Sequence, residues 1–156
     1  MPTIRMAQKE DLPEVLNLIR ELAEYERAPQ EVTVTLEELE EDGFGKRSMF
    51  EIVLAEEEGE IVGMAFYYPR YSTWKGKCMY LEDFIVKKEM RGRGIGKLLF
   101  DHVVQVSADF GAKRLEWQVL EWNEPAIRFY ESVGAQLDGE WLNGRMTDEM
   151  LKKYLS

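Results

Sequence analysis

The chain has 156 residues, enough for one domain with a sizeable core, and its 30 acidic and 20 basic side chains give a net charge of −10. One cysteine, Cys78, excludes an internal disulfide and a cysteine-based metal cluster. The negative net charge argues against a nucleic-acid partner and permits electrostatic steering of a cationic substrate. Because the sequence has no leader-like or membrane-spanning run, we expect a cytoplasmic protein with no membrane partner.

The first elements are a strand, a helix and a short acidic helix. A strand at Thr3–Met6 precedes a helix whose apolar residues recur from Leu12 to Ala23, with Asp11 as its expected N-cap. The run Thr35-Leu36-Glu37-Glu38 is a capping box, and it predicts a helix that ends near Gly43.

The middle of the chain is predicted to form strands and one long helix. Strands over residues 52–56 and 61–68 flank a hairpin turn at 57–60, and a further strand covers 79–86. A helix then runs from Ile95 until Gly111 stops it.

The last third is predicted to alternate strands and helices again. A strand over residues 114–120 leads to a helix that Asn123 caps and that runs to about Val133. Short strand candidates lie at 135–137 and 144–146, and Thr147 caps a last helix. With no linker or repeat, we expect residues 1–156 to form one α/β domain with a mixed sheet.

A glycine-rich loop joins the strand at 79–86 to the long helix. Glycines at alternate positions, Gly92, Gly94 and Gly96, let main-chain N–H groups approach a ligand closely. The helix start adds unpaired N–H donors and a positive dipole end, which favours phosphate. Five cations surround the loop: Lys87, Lys88, Arg91, Arg93 and Lys97.

The spacing excludes two common phosphate motifs. A dinucleotide fingerprint needs a third glycine where this chain has Lys97, and a P-loop needs Ser or Thr where it has Leu98. For the loop alone, a glycine turn with solvated lysines remains the alternative.

Arg91-x-x-Gly94-x-Gly96 resembles the pyrophosphate loop of the GNAT (Gcn5-related) N-acetyltransferases. Residues 121–135, with Asn opening a helix and Phe-Tyr before Gly-Ala, look like that family's second signature. Segments 22–26, 41–45 and 80–84 are similar to its diamine (spermidine/spermine) and thialysine-acetylating branch. The resemblance covers roughly Ile4 to Leu151. It implies a single-domain GNAT-like α/β fold with a mixed, mostly antiparallel sheet flanked by helices, acetyl-CoA as co-substrate, and a homodimer.

The resemblance also assigns residues to the co-substrate. Main-chain N–H groups of Phe84, Ile85 and Val86 would polarise the thioester carbonyl and bind the pantetheine arm. The loop would hold the pyrophosphate through Arg91, Gly92, Arg93, Gly94, Ile95, Gly96 and Lys97. Asn123 and Ala126 join this set; Asn123 either binds the arm or caps its helix, and the two roles can coexist.

Catalysis needs a neutral amine and a protonated leaving thiolate. An alkylamine has a pKa near ~10.4, so only about one molecule in 10³ is nucleophilic at pH 7. Glu82 and Asp83 are the candidate bases, and strand alternation would let only one of them enter a given side of the sheet. By resemblance that one is Glu82, acting through a water; the alternative is a carboxylate paired with a lysine. Tyr130 would be the general acid and lie near the cofactor sulfur, although a Phe-Tyr pair alone is more typical of core packing.

The same resemblance places Tyr25, Glu26 and Trp74, together with Glu82 and Asp83, at the amine. Polyamine enzymes carry an acidic residue before the tryptophan, whereas this chain has Ser72-Thr73, a form similar to the thialysine-acetylating relatives. A short amine is therefore expected to suit the site better than a long polycation.

The sequence therefore predicts an acetyl-CoA-dependent N-acetyltransferase of a small cationic amine, with direct transfer and no metal. A peptide or protein N-acetyltransferase is the alternative enzyme, and an acyl-CoA-binding sensor is the non-catalytic alternative.

Overall fold

The computed structural model describes all 156 residues, which form two compact units, Met1–Gln118 and Val119–Ser156. The first unit contains a five-stranded sheet in the order β1-β2-β3-β4-β5. Its strands are β1 (Thr3–Met6), β2 (Glu51–Glu57), β3 (Glu60–Ser72), β4 (Gly76–Val86) and β5 (Arg114–Glu116). Only the β4–β5 pair is parallel, so the sheet is mixed and mostly antiparallel, as predicted.

Helices α1 (Leu12–Tyr25), α2 (Leu36–Phe44) and α3 (Ile95–Phe110) flank this sheet. Because successive strand residues point to opposite faces, the sheet contributes to two cores. One core packs against α3 and includes Val53, Ala65, Leu81, Leu99 and Val103; the other packs against α1 and α2 and includes Leu12, Leu18, Leu39, Leu54 and Met64. Each fully buried aliphatic side chain contributes roughly 1.5–3 kcal/mol.

The β2–β3 hairpin forms where it was predicted. Glu57 pairs with Glu60, and the two residues between them, Glu58 and Gly59, both have positive φ, 52° and 81°. That is the geometry of a tight two-residue hairpin turn. The β3–β4 pair extends to Ser72 and Gly76, beyond the predicted ends, because on β3 the ladder continues through the exposed residues Pro69, Arg70 and Tyr71, which show no hydrophobic alternation.

The capping box of α2 is confirmed. Asp11 occupies the N-cap position of α1 as predicted, but its side chain makes no capping hydrogen bond. Glu38 N–H donates to Thr35 Oγ1 at 3.1 Å, and Thr35 N–H donates to Glu38 Oε1 at 3.2 Å. The Asp11 carboxylate does not cap α1, because a 3₁₀ turn precedes that helix and the carboxylate binds Arg5 and the Gln8 N–H instead.

The second unit contains α4 (Glu124–Ser132) and α5 (Asp148–Leu155), whose N-caps are Asn123 and Thr147 as predicted. The strands expected at 135–137 and 144–146 are absent, and β5 ends at Glu116 instead of residue 120. No strand pairs with any of these stretches, and main-chain N–H and C=O groups without ladder partners do not form a strand. None of the chain's helices combines the length and apolar character needed to cross a bilayer.

Candidate active site

A β-bulge at Glu82 shapes the end of β4. Phe66 pairs with Asp83 and Tyr67 pairs with Leu81, so Glu82 is an extra residue without a partner on β3. A bulge interrupts strand alternation and redirects side chains. Glu82 and Asp83 consequently line the same pocket, and the expectation that only one of them could enter a given side of the sheet is wrong.

That pocket, called here the acidic pocket, has a volume of about 390 Å³. One part of its lining is aliphatic and comes from α1 and the segment after it: Ile19, Leu22, Ala23, Val32 and Val34. The other part is anionic: Glu26, Glu31, Glu82 and Asp83. An alkyl chain that ends in an ammonium group matches both parts, because methylene groups bury against the aliphatic wall and the charge meets carboxylates.

The carboxylates of the acidic pocket perturb one another. Burial, followed by the charges of Glu82 and Glu26, raises the pKa of Asp83 to about 7. Burial, followed by the charge of Glu82, also raises the pKa of Glu26. A bound cation would favour the ionised form of both groups, so the pocket suits a positively charged ligand.

Glu82 is held by a tyrosine on the neighbouring strand. Tyr68 Oη donates to Glu82 Oε1 at 2.7 Å, and the Tyr68 ring lies 5.6 Å from the Tyr80 ring. Burial and the Glu82 contact raise the pKa of Tyr68, so its hydroxyl keeps its proton at neutral pH. The exposed carboxylate therefore has a fixed orientation and a second oxygen for another hydrogen bond.

Beyond Tyr80, the edge of β4 that faces β5 has no strand partner. The β4–β5 pairing covers only Cys78, Met79 and Tyr80 on β4, while the other edge stays paired with β3 as far as Val86. An open edge of this kind offers main-chain N–H and C=O groups to an extended ligand. Phe84, Ile85 and Val86, the predicted contacts of the pantetheine arm, lie on this stretch.

The glycine loop has the backbone geometry that the motif predicts. Gly92 and Gly94 have φ of 78° and 79°, and Gly94 is the N-cap of α3. A Cβ at either position would meet no protein atom within 4 Å, so space beside the loop is open. A Cβ on Gly96 would instead lie 3.5 Å from the Phe84 ring. The main chain of this loop can therefore be approached closely by an anion.

The loop's basic side chains are engaged within the protein. Arg91 Nε donates to the Val86 carbonyl at 3.2 Å, and its guanidinium lies 5.3 Å from the centre of the Tyr25 ring. Lys97 pairs with Asp101 at 2.7 Å. Arg93 forms two hydrogen bonds to Glu57, each of 2.8 Å. These contacts favour the main chain over the side chains as the source of phosphate donors.

The C-terminal end of α1 brings the loop and the acidic pocket together. Tyr25 contacts Arg91 of the loop, and the next residue, Glu26, lines the pocket. Glu31, in the 3₁₀ turn Pro29–Glu31, is a pocket carboxylate that sequence reasoning missed. The only available signal was its position between a helix end and the apolar alternation of Val32 and Val34.

Trp74, a predicted substrate contact, lies outside the acidic pocket. It occupies the β3–β4 turn, where its side chain is 79% exposed. Ser72 Oγ accepts hydrogen bonds from the N–H groups of Trp74 and Lys75, both at 3.2 Å. Ser72 thus stabilises this turn.

Three predicted site residues belong to the second unit. Asn123 Oδ1 accepts a hydrogen bond from the Ala126 N–H at 3.4 Å, which is the expected cap of α4. Tyr130 lies on the same helix, is buried, and meets Phe129 edge to face with a centroid distance of 5.6 Å.

Comparison with known proteins gives a consistent result. Residues 12–135 match the acetyltransferase (GNAT) family. A thialysine N-epsilon-acetyltransferase from Bos taurus is 43% identical over 141 residues, covering 85% of this chain and 83% of that protein. A spermidine/spermine N(1)-acetyltransferase-like protein from Homo sapiens is 36% identical over 85% of this chain and 20% of its own length. Among solved structures, an integron cassette protein from V. cholerae superposes with a TM-score of 0.79 at 25% identity, covering 99% of this chain and 97% of that one.

Proposed function

We propose that the preferred acceptor of this protein is a short cationic amine of the thialysine or lysine type. The chain belongs to the GNAT acetyltransferase family and is an acetyl-CoA-dependent N-acetyltransferase of small amines. The acidic pocket is the observation that carries this proposal. Its aliphatic wall suits a chain of a few methylene groups, and its carboxylates suit the ammonium groups.

The named relatives support the same class of acceptor. The bovine relative acts on thialysine by its name, and the more distant human relative is named for spermidine and spermine. This chain has Ser72 and Thr73 where the polyamine enzymes carry an acidic residue. The loss of one carboxylate weakens the binding of a long polycation more than that of a short amine. We therefore expect thialysine or another short amine to be used at least as well as spermidine.

The glycine loop and the end of β4 fit acetyl-CoA, whose thioester supplies the activated acetyl group. We assign the pyrophosphate to main-chain N–H groups of residues 91–97, because the loop glycines leave open space beside the backbone. The pantetheine arm is assigned to β4 at Phe84, Ile85 and Val86, beyond the stretch that pairs with β5. Asn123 and Ala126 complete the proposed set, with Asn123 also capping α4.

Three proton transfers complete the reaction. Glu82, oriented by Tyr68, accepts one proton of the acceptor ammonium through a water, which leaves the nitrogen lone pair free to attack the thioester carbon. As the carbon–sulfur bond breaks, the Tyr130 hydroxyl donates its proton to the leaving sulfur, and the second proton lost by the acylated nitrogen restores that hydroxyl. Glu26 and Asp83 bind a cationic group of the acceptor, and Tyr25 is proposed to contribute an aromatic face to it. Trp74 is proposed as a substrate contact outside the acidic pocket.

Assembly and location complete the proposal. The single family match spans both compact units, which supports one acetyltransferase domain over residues 1–156. Large apolar side chains of the second unit are exposed, including Trp141 (74%), Leu142 (98%) and Leu155 (84%), and this supports a homodimer that covers them. Sedimentation velocity tests that assembly. A cytoplasmic location and the lack of nucleic-acid or membrane partners stay predictions from composition.

A panel of acceptors tests the substrate proposal. Thialysine, lysine, cadaverine, putrescine, spermidine, spermine and a peptide N-terminus are each incubated with acetyl-CoA, and release of free CoA is followed with a thiol reagent. We expect thialysine to have a kcat/KM at least equal to that of spermidine. Cadaverine, which lacks the carboxylate of lysine, separates recognition of the ammonium groups from recognition of the amino-acid end.

Each alternative predicts a different outcome of this panel. A ten-fold preference for spermidine would indicate a diamine acetyltransferase. Turnover of the peptide alone would indicate a peptide or protein enzyme. Binding of acetyl-CoA without transfer to any acceptor would indicate a sensor.

A further inference from the structure

The glycine loop is short of packing contacts that would fix its shape. Arg93 lies between Gly92 and Gly94, both with positive φ and both open on their outer side. Glycine loses more conformational freedom on ordering than any other residue, so a loop of this composition is ordered only if something holds it. Arg91, the first residue of the loop, is held by its hydrogen bond to the Val86 carbonyl. The tip of the loop, at Arg93, depends on another contact.

The tip is held by Glu57, on a different part of the sheet. Nη1 and Nη2 of Arg93 donate to the two oxygens of Glu57, both at 2.8 Å, in the parallel geometry that guanidinium and carboxylate favour. The Glu57 side chain is only 12% exposed. As the last residue of β2, it pairs with Glu60 across the tight hairpin turn, so the anchor itself is rigid.

We propose that Glu57 is a positioning residue for acetyl-CoA: through Arg93 it fixes the glycine loop in the shape that presents main-chain N–H groups to the pyrophosphate. This inference rests on the proposed role of the loop. Two opposite effects of Glu57 compete, because its charge also neutralises a cation near the phosphates. We expect the ordering effect to be the larger of the two, because the Arg93 guanidinium already donates to Glu57 and is itself 47% exposed, so solvent screens its charge.

Variants of the pair test the proposal by calorimetric titration with CoA. Glu57→Gln and Arg93→Gln should each weaken CoA binding about three- to five-fold, as expected for a half-exposed ion pair. The double variant should bind no more weakly than either single one, because both remove the same anchor. Arg93→Lys keeps the charge but loses the two-point contact, and it should behave like Arg93→Gln.

Glu56→Gln is the matched control, because Glu56 is the neighbouring residue and pairs with Arg5 at 2.6 Å, away from the loop. It should leave CoA affinity unchanged, and comparison of its thermal unfolding with that of Glu57→Gln separates stability from positioning. The KM for acetyl-CoA should rise in Glu57→Gln while the KM for the amine stays constant. Affinity equal to or tighter than wild type in Glu57→Gln would overturn the proposal.

Gly94→Val distinguishes this failure from failure of the proposed cofactor loop. If Gly94→Val weakens CoA binding and Glu57→Gln does not, only the role of Glu57 is wrong. If Gly94→Val also binds CoA normally, the loop is not the pyrophosphate site and both assignments fail.

Discussion

Asp83→Asn should make the protein more stable than wild type above neutral pH and should weaken binding of the amine substrate. The wild-type carboxylate is partly buried beside Glu82 and Glu26, and its pKa is raised to about 7. An amide of the same shape removes the charge without opening a cavity. Any change in hydrogen bonding is a constant offset, whereas the charge effect depends on pH.

The sign of that dependence follows from proton binding. The folded protein keeps the Asp83 proton up to about pH 7, whereas the unfolded chain releases it near the ordinary value of 3.8. Between these values the folded state binds more protons, so wild-type stability falls as pH rises through this window, and the full penalty is present above pH 7. In the variant this contribution is absent.

The shift sets a ceiling on the effect. A difference of roughly three pKa units corresponds to about 4 kcal/mol at 1.36 kcal/mol per unit. Relaxation of the pocket and entry of water reduce this energy. We therefore expect the free energy of unfolding of Asp83→Asn, relative to wild type, to rise by about 1–2 kcal/mol between pH 4.5 and pH 8. For a chain of this size that gain corresponds to a rise in Tm of roughly 3–6 °C.

Urea unfolding of both proteins, followed by tryptophan fluorescence from pH 4.5 to 8.5 at constant ionic strength, measures the difference. Asp109→Asn, at an exposed carboxylate on α3, is the control and should show a constant offset. A cationic amine should stabilise wild type more than Asp83→Asn at pH 8, because it compensates the buried charge. A free-energy difference that does not change with pH would refute the reasoning.

Three further changes test the other site residues. Gly94→Val should weaken CoA binding by about ten-fold or more, because a β-branched residue is strained at φ 79° and its side chain would occupy the phosphate approach. Calorimetric titration measures the affinity. The control variant Gly134→Val, at φ 86° on the second unit, should leave CoA binding unchanged. Glu26→Gln should raise the KM for the amine about five-fold with an unchanged KM for acetyl-CoA, and an equal effect of the exposed Glu24→Gln would count against a specific contact. Tyr130→Phe should lower kcat about 10²-fold with little change in acetyl-CoA affinity, and single-turnover rates near wild type would exclude it as the general acid.

The parts of the site that the sequence predicted are those encoded by neighbouring residues. A strand, alternating glycines and a helix start follow one another between residues 81 and 97, and the structure has the same order with Gly94 at the helix N-cap. Positive φ at Gly92 and Gly94 is a property of each residue and its immediate neighbours, so a local motif is sufficient to predict it.

The features that sequence reasoning missed depend on partners far along the chain. The bulge at Glu82 exists only in register with Phe66 and Tyr67 on β3, so no pattern within β4 predicts it. Arg93 was predicted as one of several cations around a phosphate, and its partner Glu57 is 36 residues away. Glu31 reaches the acidic pocket through the path of the chain after α1.

One helix end links the two halves of the proposed reaction. Tyr25, the last residue of α1, contacts Arg91, and the following Glu26 lines the acidic pocket. At the other side, Asp83 lines the pocket three residues before Val86, whose carbonyl accepts the Arg91 hydrogen bond. Arg91 therefore contacts both segments that carry carboxylates of the acidic pocket, one through the Tyr25 ring and the other through the Val86 carbonyl. The position of the glycine loop beside the pocket thus depends on contacts made by one side chain, and not only on the path of the main chain.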